Sequence, residues 1–169
     1  MSSESKVILP EALPAWRERL RAAGRRLVVT NGCFDLLHVG HVHYLEAARA
    51  LGDALLVGVN GDDSVRQLKG PDRPLNSEQD RMRVLAALAC VDGVSLFTDK
   101  RATRFLTAAQ PDLYVKGGDY TVDTMDPDER AAIEAAGGQI RFLSFVPGRS
   151  TTELVNRLRG ATPASSSAS

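Results

Sequence analysis

Cysteine, tryptophan and long apolar runs are scarce in this chain, and charge of neither sign predominates. Only two cysteines, Cys33 and Cys90, occur in 169 residues. That is too few for a disulfide framework and reads as two reduced thiols, the usual state in the cytosol. No apolar stretch approaches the ~20 residues needed to cross a bilayer, and the first residues lack the basic start and apolar core of a secretory leader. A cytoplasmic setting with no membrane partner is therefore expected. Basic and acidic residues number 21 each, so there is no broad positive field to hold nucleic-acid phosphates, and no nucleic-acid partner is expected.

What remains is ordinary globular material. The chain is 43% hydrophobic and 25% charged, and its length suits a single core. Short apolar runs at Leu27 to Thr30, Ala54 to Val59, Gly93 to Phe97, Leu113 to Val115 and Ile140 to Leu143 read as strands. They scarcely alternate with polar residues, the pattern of strands covered on both faces. Helical periodicity falls between them, at His41 to Leu51, Ser77 to Ala89, Arg101 to Ala109 and Pro127 to Ala136. Strand and helix alternating in this way predict an α/β fold, a Rossmann-like three-layer α/β/α domain on a five-stranded parallel sheet. An opening helix from Leu13 to Ala23, stopped by Gly24, and a closing one from Thr151 to Arg159, stopped by Gly160, are expected on its flanks. The expected division is a helical segment over 1–26, the main domain over 27–160, and a disordered tail of small polar residues over 161–169.

The stretch Thr30-Asn31-Gly32-Cys33-Phe34-Asp35-Leu36-Leu37-His38-Val39-Gly40-His41 follows the first strand and opens the first crossover helix. In an open parallel sheet ligands bind at this edge, where the first-turn N–H groups and the helix dipole attract a phosphate. His38 and His41, three positions apart, lie on neighbouring positions of one helical face, so both imidazoles can reach one anion. Gly40 leaves the space between them clear. Two histidines at a helix start also serve as surface or capping residues. A zinc site is a further alternative, but Cys33 reads as core-facing and no second Cys/His pair closes the shell. No metal held by protein side chains is expected.

The run from Gly32 to His41 resembles the GxFDxxHxGH signature of the cytidylyltransferase-like nucleotidyltransferase superfamily. The resemblance implies that His38 and His41 contact a nucleoside triphosphate and stabilise charge as its α-phosphate is attacked. Phe34 and Asp35 would shape the loop, and Mg²⁺ would arrive with the triphosphate. Asn31, Gly32, Cys33, Phe34 and Gly40 then join the nucleotide site, and Asp35 and Asn60 the substrate side.

Three further segments extend the resemblance. Gln67 to Pro74 places Lys69 and Arg73 in a Gly/Pro-rich loop, a cationic lid or an ordinary solvated loop. By likeness to the superfamily, Lys69 and Arg81 become catalytic phosphate ligands, although Arg81 also suits a helix-surface ion pair behind Ser77 to Asp80. Tyr114-Val115-Lys116-Gly117-Gly118-Asp119-Tyr120 ends the fourth strand, where paired glycines admit close backbone approach and Lys116 can meet a substrate phosphate. The residues alone equally suit a tight turn. VKGGDY resembles the version in D-glycero-β-D-manno-heptose 1-phosphate adenylyltransferases, which implicates Gly117 and Asp119 in nucleotide binding and a sugar 1-phosphate as acceptor. Gly148 to Thr152 resembles the second signature, (R)TxGxSTT, putting Ser150, Thr151 and Thr152 on the nucleotide. That motif begins with arginine in cytidylyltransferases, whereas Phe145 stands here, which favours ATP over CTP. Arg149 replaces a usually apolar residue and has no assigned role.

The sequence is thus expected to transfer AMP from ATP to D-glycero-β-D-manno-heptose 1-phosphate, giving ADP-heptose and pyrophosphate, with a separate sugar kinase supplying the acceptor. The alternatives are a CTP-dependent glycerol 3-phosphate cytidylyltransferase or related enzyme, and a nucleotide-binding regulator without turnover. Oligomeric state is left open, a homodimer being one expectation.

Overall fold

The computed structural model describes residues 2–118 and 124–143. Asp119, Phe145, Gly148 to Thr152, the closing helix and the tail lie outside the described residues.

Five strands form the sheet: β1 (Leu27–Gly32), β2 (Ala54–Asn60), β3 (Gly93–Phe97), β4 (Leu113–Gly117) and β5 (Gln139–Leu143). All pair in parallel, in the order β3-β2-β1-β4-β5. Parallel neighbours require crossovers, and these carry α2 (Val39–Arg49), α3 (Asp62–Lys69), α4 (Glu78–Ala87), α5 (Thr103–Ala109) and α6 (Pro127–Ala135), with α1 (Leu13–Ala22) preceding the sheet. This is the expected Rossmann-like α/β arrangement.

Every residue of β2 is buried, because the sheet carries a core on each face. Leu55, Val57 and Val59 face one core with Val28, Leu45 and Leu85. Ala54 and Leu56 face the other with Leu27, Val29, Leu106 and Ile133. On that second face Phe105 lies directly on the strand. A Cβ at Gly58 would come within 2.5 Å of its ring, and Phe97 stacks on the same ring at 5.4 Å.

The segment before the sheet is built into this core. Val7 bridges to Val94, the Ile8 N–H donates to the Val94 carbonyl at 2.8 Å, and Ile8, Leu13 and Leu20 are buried with the second core. On α1, buried Arg17 bonds Asp112 at 2.7 Å and the Gln110 carbonyl at 2.9 Å.

Two differences from the expected boundaries bear on function. First, β1 and β4 run on through Asn31-Gly32 and Lys116-Gly117, past the apolar run, because pairing with β2 and β5 continues to Gly32↔Val59 and Gly117↔Leu143. Second, Lys69 is the last residue of α3, which ends where Gly70 takes φ 101°, so only Arg73 lies in the following loop. Elsewhere α2 starts at Val39 and α5 at Thr103. Among the described residues no helix is long and apolar enough to cross a membrane.

The central strands part company. β1 and β4 pair only at Val28↔Leu113 and Val29↔Tyr114, although each stays paired to its outer neighbour for longer. The Val115 carbonyl, beyond the last of these pairs, accepts the hydroxyl of buried Tyr44 from α2 at 3.0 Å, and that hydroxyl takes Thr30 as its partner at 2.7 Å. Tyr44→Phe would leave a buried carbonyl and a buried hydroxyl without this partner. The expected loss is about 1–3 kcal/mol, read as a lower urea midpoint with an unchanged slope; a midpoint equal to the parent's would refute the assignment.

Candidate active site

Strand order reverses between β1 and β4, the point at which an open α/β sheet forms a ligand crevice beyond its carboxyl ends. Asn31 and Gly32 end one wall of it, Lys116 and Gly117 the other. Tyr114 is fully buried and donates its hydroxyl across the gap to Asn31 Oδ1 at 2.5 Å, which fixes the orientation of that amide.

From Gly32 the chain turns sharply into α2. Phe34 adopts φ 47°, a left-handed conformation costing a non-glycine residue about 1–3 kcal/mol. The buried ring folds back over Gly32, where a Cβ would meet it at 3.1 Å, and stands 5.4 Å from the ring of His41. His38 is the N-cap of α2, in extended conformation just outside the helix, and His41 is the third residue inside. Their rings lie 3.9 Å apart, with Gly40 buried between them in sequence, and His41 Nδ1 accepts the His38 backbone N–H at 3.4 Å. Burial, with His38 alongside, lowers the His41 pKa to about 4, so at neutral pH its imidazole is uncharged. Cys33 is half-buried; burial pushes its thiol up, against the opposing charges of Lys69 and Arg81.

Asp35 and Arg81 carry most of the polar contacts around the turn. Asp35 is only 5% exposed. One carboxylate oxygen takes the Leu75 and Asn76 N–H groups at 2.8 and 3.0 Å, the other takes Arg73 Nε at 2.5 Å, and its own carbonyl accepts the Asn76 side chain at 2.8 Å. Arg81 is 2% exposed. It donates to the carbonyls of Cys33 (2.5 Å), Asn60 (2.8 Å) and Asn76 (3.1 Å) and to Asp62 (2.8 Å). The Asn60 side chain is buried and bonds Ser64 at 2.9 Å.

The expected site residues therefore divide by placement. His38, His41, Asn31, Gly32, Lys116 and Gly117 stand at the carboxyl edge where β1 and β4 diverge, and Lys69 is exposed at the end of α3. Asp35, Arg73, Arg81 and Asn60 are engaged with neighbouring protein groups. Lys116 lies 3.5 Å from the buried carboxylate of Glu129, whose other oxygen accepts the Ala102 N–H at 2.9 Å. Sequence reasoning did not single out Tyr44, Asn76, Asp62 or Glu129. Of these Glu129 had a local signal only as an acidic residue in the first turn of a proline-led helix. Among the described residues no group of three potential metal ligands comes together, and both oxygens of Asp35, the acid nearest the histidines in sequence, are already taken.

Residues 29–156 match the model of the Cytidylyltransferase-like family. "Bifunctional protein HldE" of Syntrophotalea carbinolica is 48% identical over 155 residues, covering 92% of this chain and 31% of that protein. Its namesake in Methylococcus capsulatus is 54% identical over 140 residues, 83% of this chain and 29% of that one. The chain thus spans about a third of the length of these relatives. Among solved structures, a lipopolysaccharide core biosynthesis protein from Thermoplasma volcanium superposes with TM-score 0.58 at 28% identity, over 72% of this chain and 97% of that one. A pantoate-beta-alanine ligase from Francisella tularensis shares the fold at TM-score 0.56 and 14% identity, over 93% of this chain and 74% of that one. The family match takes in both strands that border the crevice and the histidine-bearing turn between them, and the chain belongs to the cytidylyltransferase-like family of nucleotidyltransferases.

Proposed function

We propose that the chain transfers AMP from ATP to D-glycero-β-D-manno-heptose 1-phosphate, releasing pyrophosphate and giving ADP-heptose. The observation that carries the reading is the paired imidazoles of His38 and His41 at the first turn of α2, directly after the strand that borders the crevice of a nucleotidyltransferase fold. The acceptor and the nucleotide are argued from sequence: VKGGDY at the end of β4 resembles the heptose 1-phosphate version, and Phe145 stands where cytidylyltransferases carry arginine. Similarity to relatives described as bifunctional, over about a third of their length, supports assigning one of two activities to this stretch. A sugar kinase then has to supply the 1-phosphate.

In this scheme an oxygen of the acceptor phosphate attacks the α-phosphorus in line, and the bond to the bridging oxygen of the β-phosphate breaks. Little covalent work falls to the protein, so positioning and charge stabilisation supply the rate. His38 and His41, with the first-turn N–H groups of α2, would bond the phosphate oxygens on which charge accumulates. Lys69 would approach the leaving pyrophosphate, Lys116 the acceptor phosphate, and Asn31 the reacting centre between the two strand ends. Mg²⁺ would arrive with the triphosphate and neutralise part of its charge.

Pyrophosphate release with Mg²⁺ tests the substrates directly. ATP and CTP are each paired with heptose 1-phosphate and with glycerol 3-phosphate; release from ATP with the heptose ester alone is expected, and release from CTP with glycerol phosphate would replace the reading. His41→Ala is expected to lower turnover about a hundredfold, as loss of an oxyanion donor does, and normal turnover would remove His41 from the mechanism. The same residue affects stability. Its folded pKa of about 4 lies below the ordinary 6.5, so the unfolded chain binds the proton first as pH falls. The His41 contribution is complete above about pH 6.5 and declines towards pH 4. Urea midpoints at pH 7.5 and 4.5 should therefore differ less in His41→Ala than in the parent, and an equal or larger difference would contradict the lowered pKa.

A further inference from the structure

We propose that Arg81 is a positioning residue that holds the phosphate-binding turn, and through it the ring of His41, rather than a ligand of the triphosphate. The inference rests on His41 belonging to the reacting centre, and it reverses the role that likeness to the superfamily suggests for this arginine.

Pairing between β1 and β2 ends at Gly32↔Val59. The next carbonyl on each strand, Cys33 after β1 and Asn60 at the end of β2, points to the same guanidinium, Cys33 at Nη1 and Asn60 at Nη2. A third nitrogen, Nε, holds the Asn76 carbonyl in the loop after α3, and Nη2 also meets Asp62 in the first turn of α3. One planar group thus ties together the turn after β1, the end of β2, the first turn of α3 and the loop that follows it. Its charge has a counter-ion in Asp62, and four of its five N–H donors are used inside the protein. At 2% exposure it has one N–H donor left and almost no surface to offer a phosphate.

The link to the histidine is short. Cys33 immediately precedes Phe34, the residue in left-handed conformation whose ring packs beside that of His41. Anchoring the Cys33 carbonyl holds the peptide that enters this turn. Asp35, the residue after Phe34, accepts the Asn76 N–H and side-chain amide, so the turn and the loop are bonded to each other and both to Arg81. Lysine cannot replace this arrangement, because its donors radiate from one atom and the acceptors are spread over three guanidinium nitrogens.

The test uses Arg81→Lys, which keeps the charge, in the unliganded full chain. Ring resonances of the histidines are followed by NMR against pH, with exposed His43 on α2 as internal control. If Arg81 positions the turn, the His41 pKa rises from about 4 towards its ordinary 6.5 as its packing loosens. Turnover with ATP and heptose 1-phosphate then falls tenfold or more with the KM for ATP within threefold. A His41 titration identical to the parent's, in a variant with a native spectrum, overturns the proposal, and a tenfold rise in the KM for ATP beside it would make Arg81 a direct phosphate ligand. Should Arg81→Lys fail to fold, Asp62→Ala carries the same reading: it removes the counter-ion and one of the four bonds, and an unmoved His41 there is equally decisive. The titration needs neither nucleotide nor acceptor, so an error in the substrate assignment leaves this test intact.

Discussion

The separation of β1 from β4 is the constraint on which the rest of the molecule depends. Two residue pairs, Val28↔Leu113 and Val29↔Tyr114, hold the centre of the sheet together, and beyond them the strands follow their outer partners. Backbone groups freed in this way are costly unless they find other partners; the Tyr44 hydroxyl supplies one for the Val115 carbonyl, while Tyr114 spans the gap to a side chain. Tyr44 reaches from α2 to Val115 and Thr30, and Tyr114 reaches from β4 to Asn31. The opening is therefore a built crevice with a hydrogen-bonded floor, and the turn into α2 starts from its edge.

Three cations here come with carboxylates already beside them: Arg73 with Asp35, Arg81 with Asp62 and Lys116 with Glu129. Pairing of this kind keeps several like charges from repelling one another before an anion arrives. It contributes less to net stability than the short distances suggest, since desolvating both partners offsets much of the attraction. Its value lies in geometry. Asp35 takes the Asn76 N–H and Arg81 its carbonyl, so the loop after α3 is placed by the same groups that shape the turn into α2.

The alternation of apolar runs with helical periods made the strands and most helices legible, because burial on both faces of a parallel sheet leaves a strong pattern in composition. The histidine turn was legible as well, since its residues are contiguous. What the sequence could not show were contacts between distant positions. Arg81 bonds Cys33 across 48 positions and Tyr44 bonds Val115 across 71, and no local pattern announces either. The ends of β1 and β4 were missed for a related reason: Asn31, Gly32, Lys116 and Gly117 look like loop residues, and only the ladder to a neighbouring strand makes them strand. Arg81 illustrates the limit best. Likeness to the superfamily suggests a phosphate ligand and its helix position a surface ion pair, while its burial sets it among backbone carbonyls.

The bridge between Val7 and Val94 has a consequence for how copies of this protein meet. β3 lies at the margin of the sheet, and an exposed marginal strand is a template on which a foreign strand can add by backbone hydrogen bonding. Here the chain's own opening segment occupies that place, with Ile8 already bonded to the Val94 carbonyl. The β3 margin consequently offers no uninterrupted row of backbone donors and acceptors, and its own leading residues guard it against runaway strand addition.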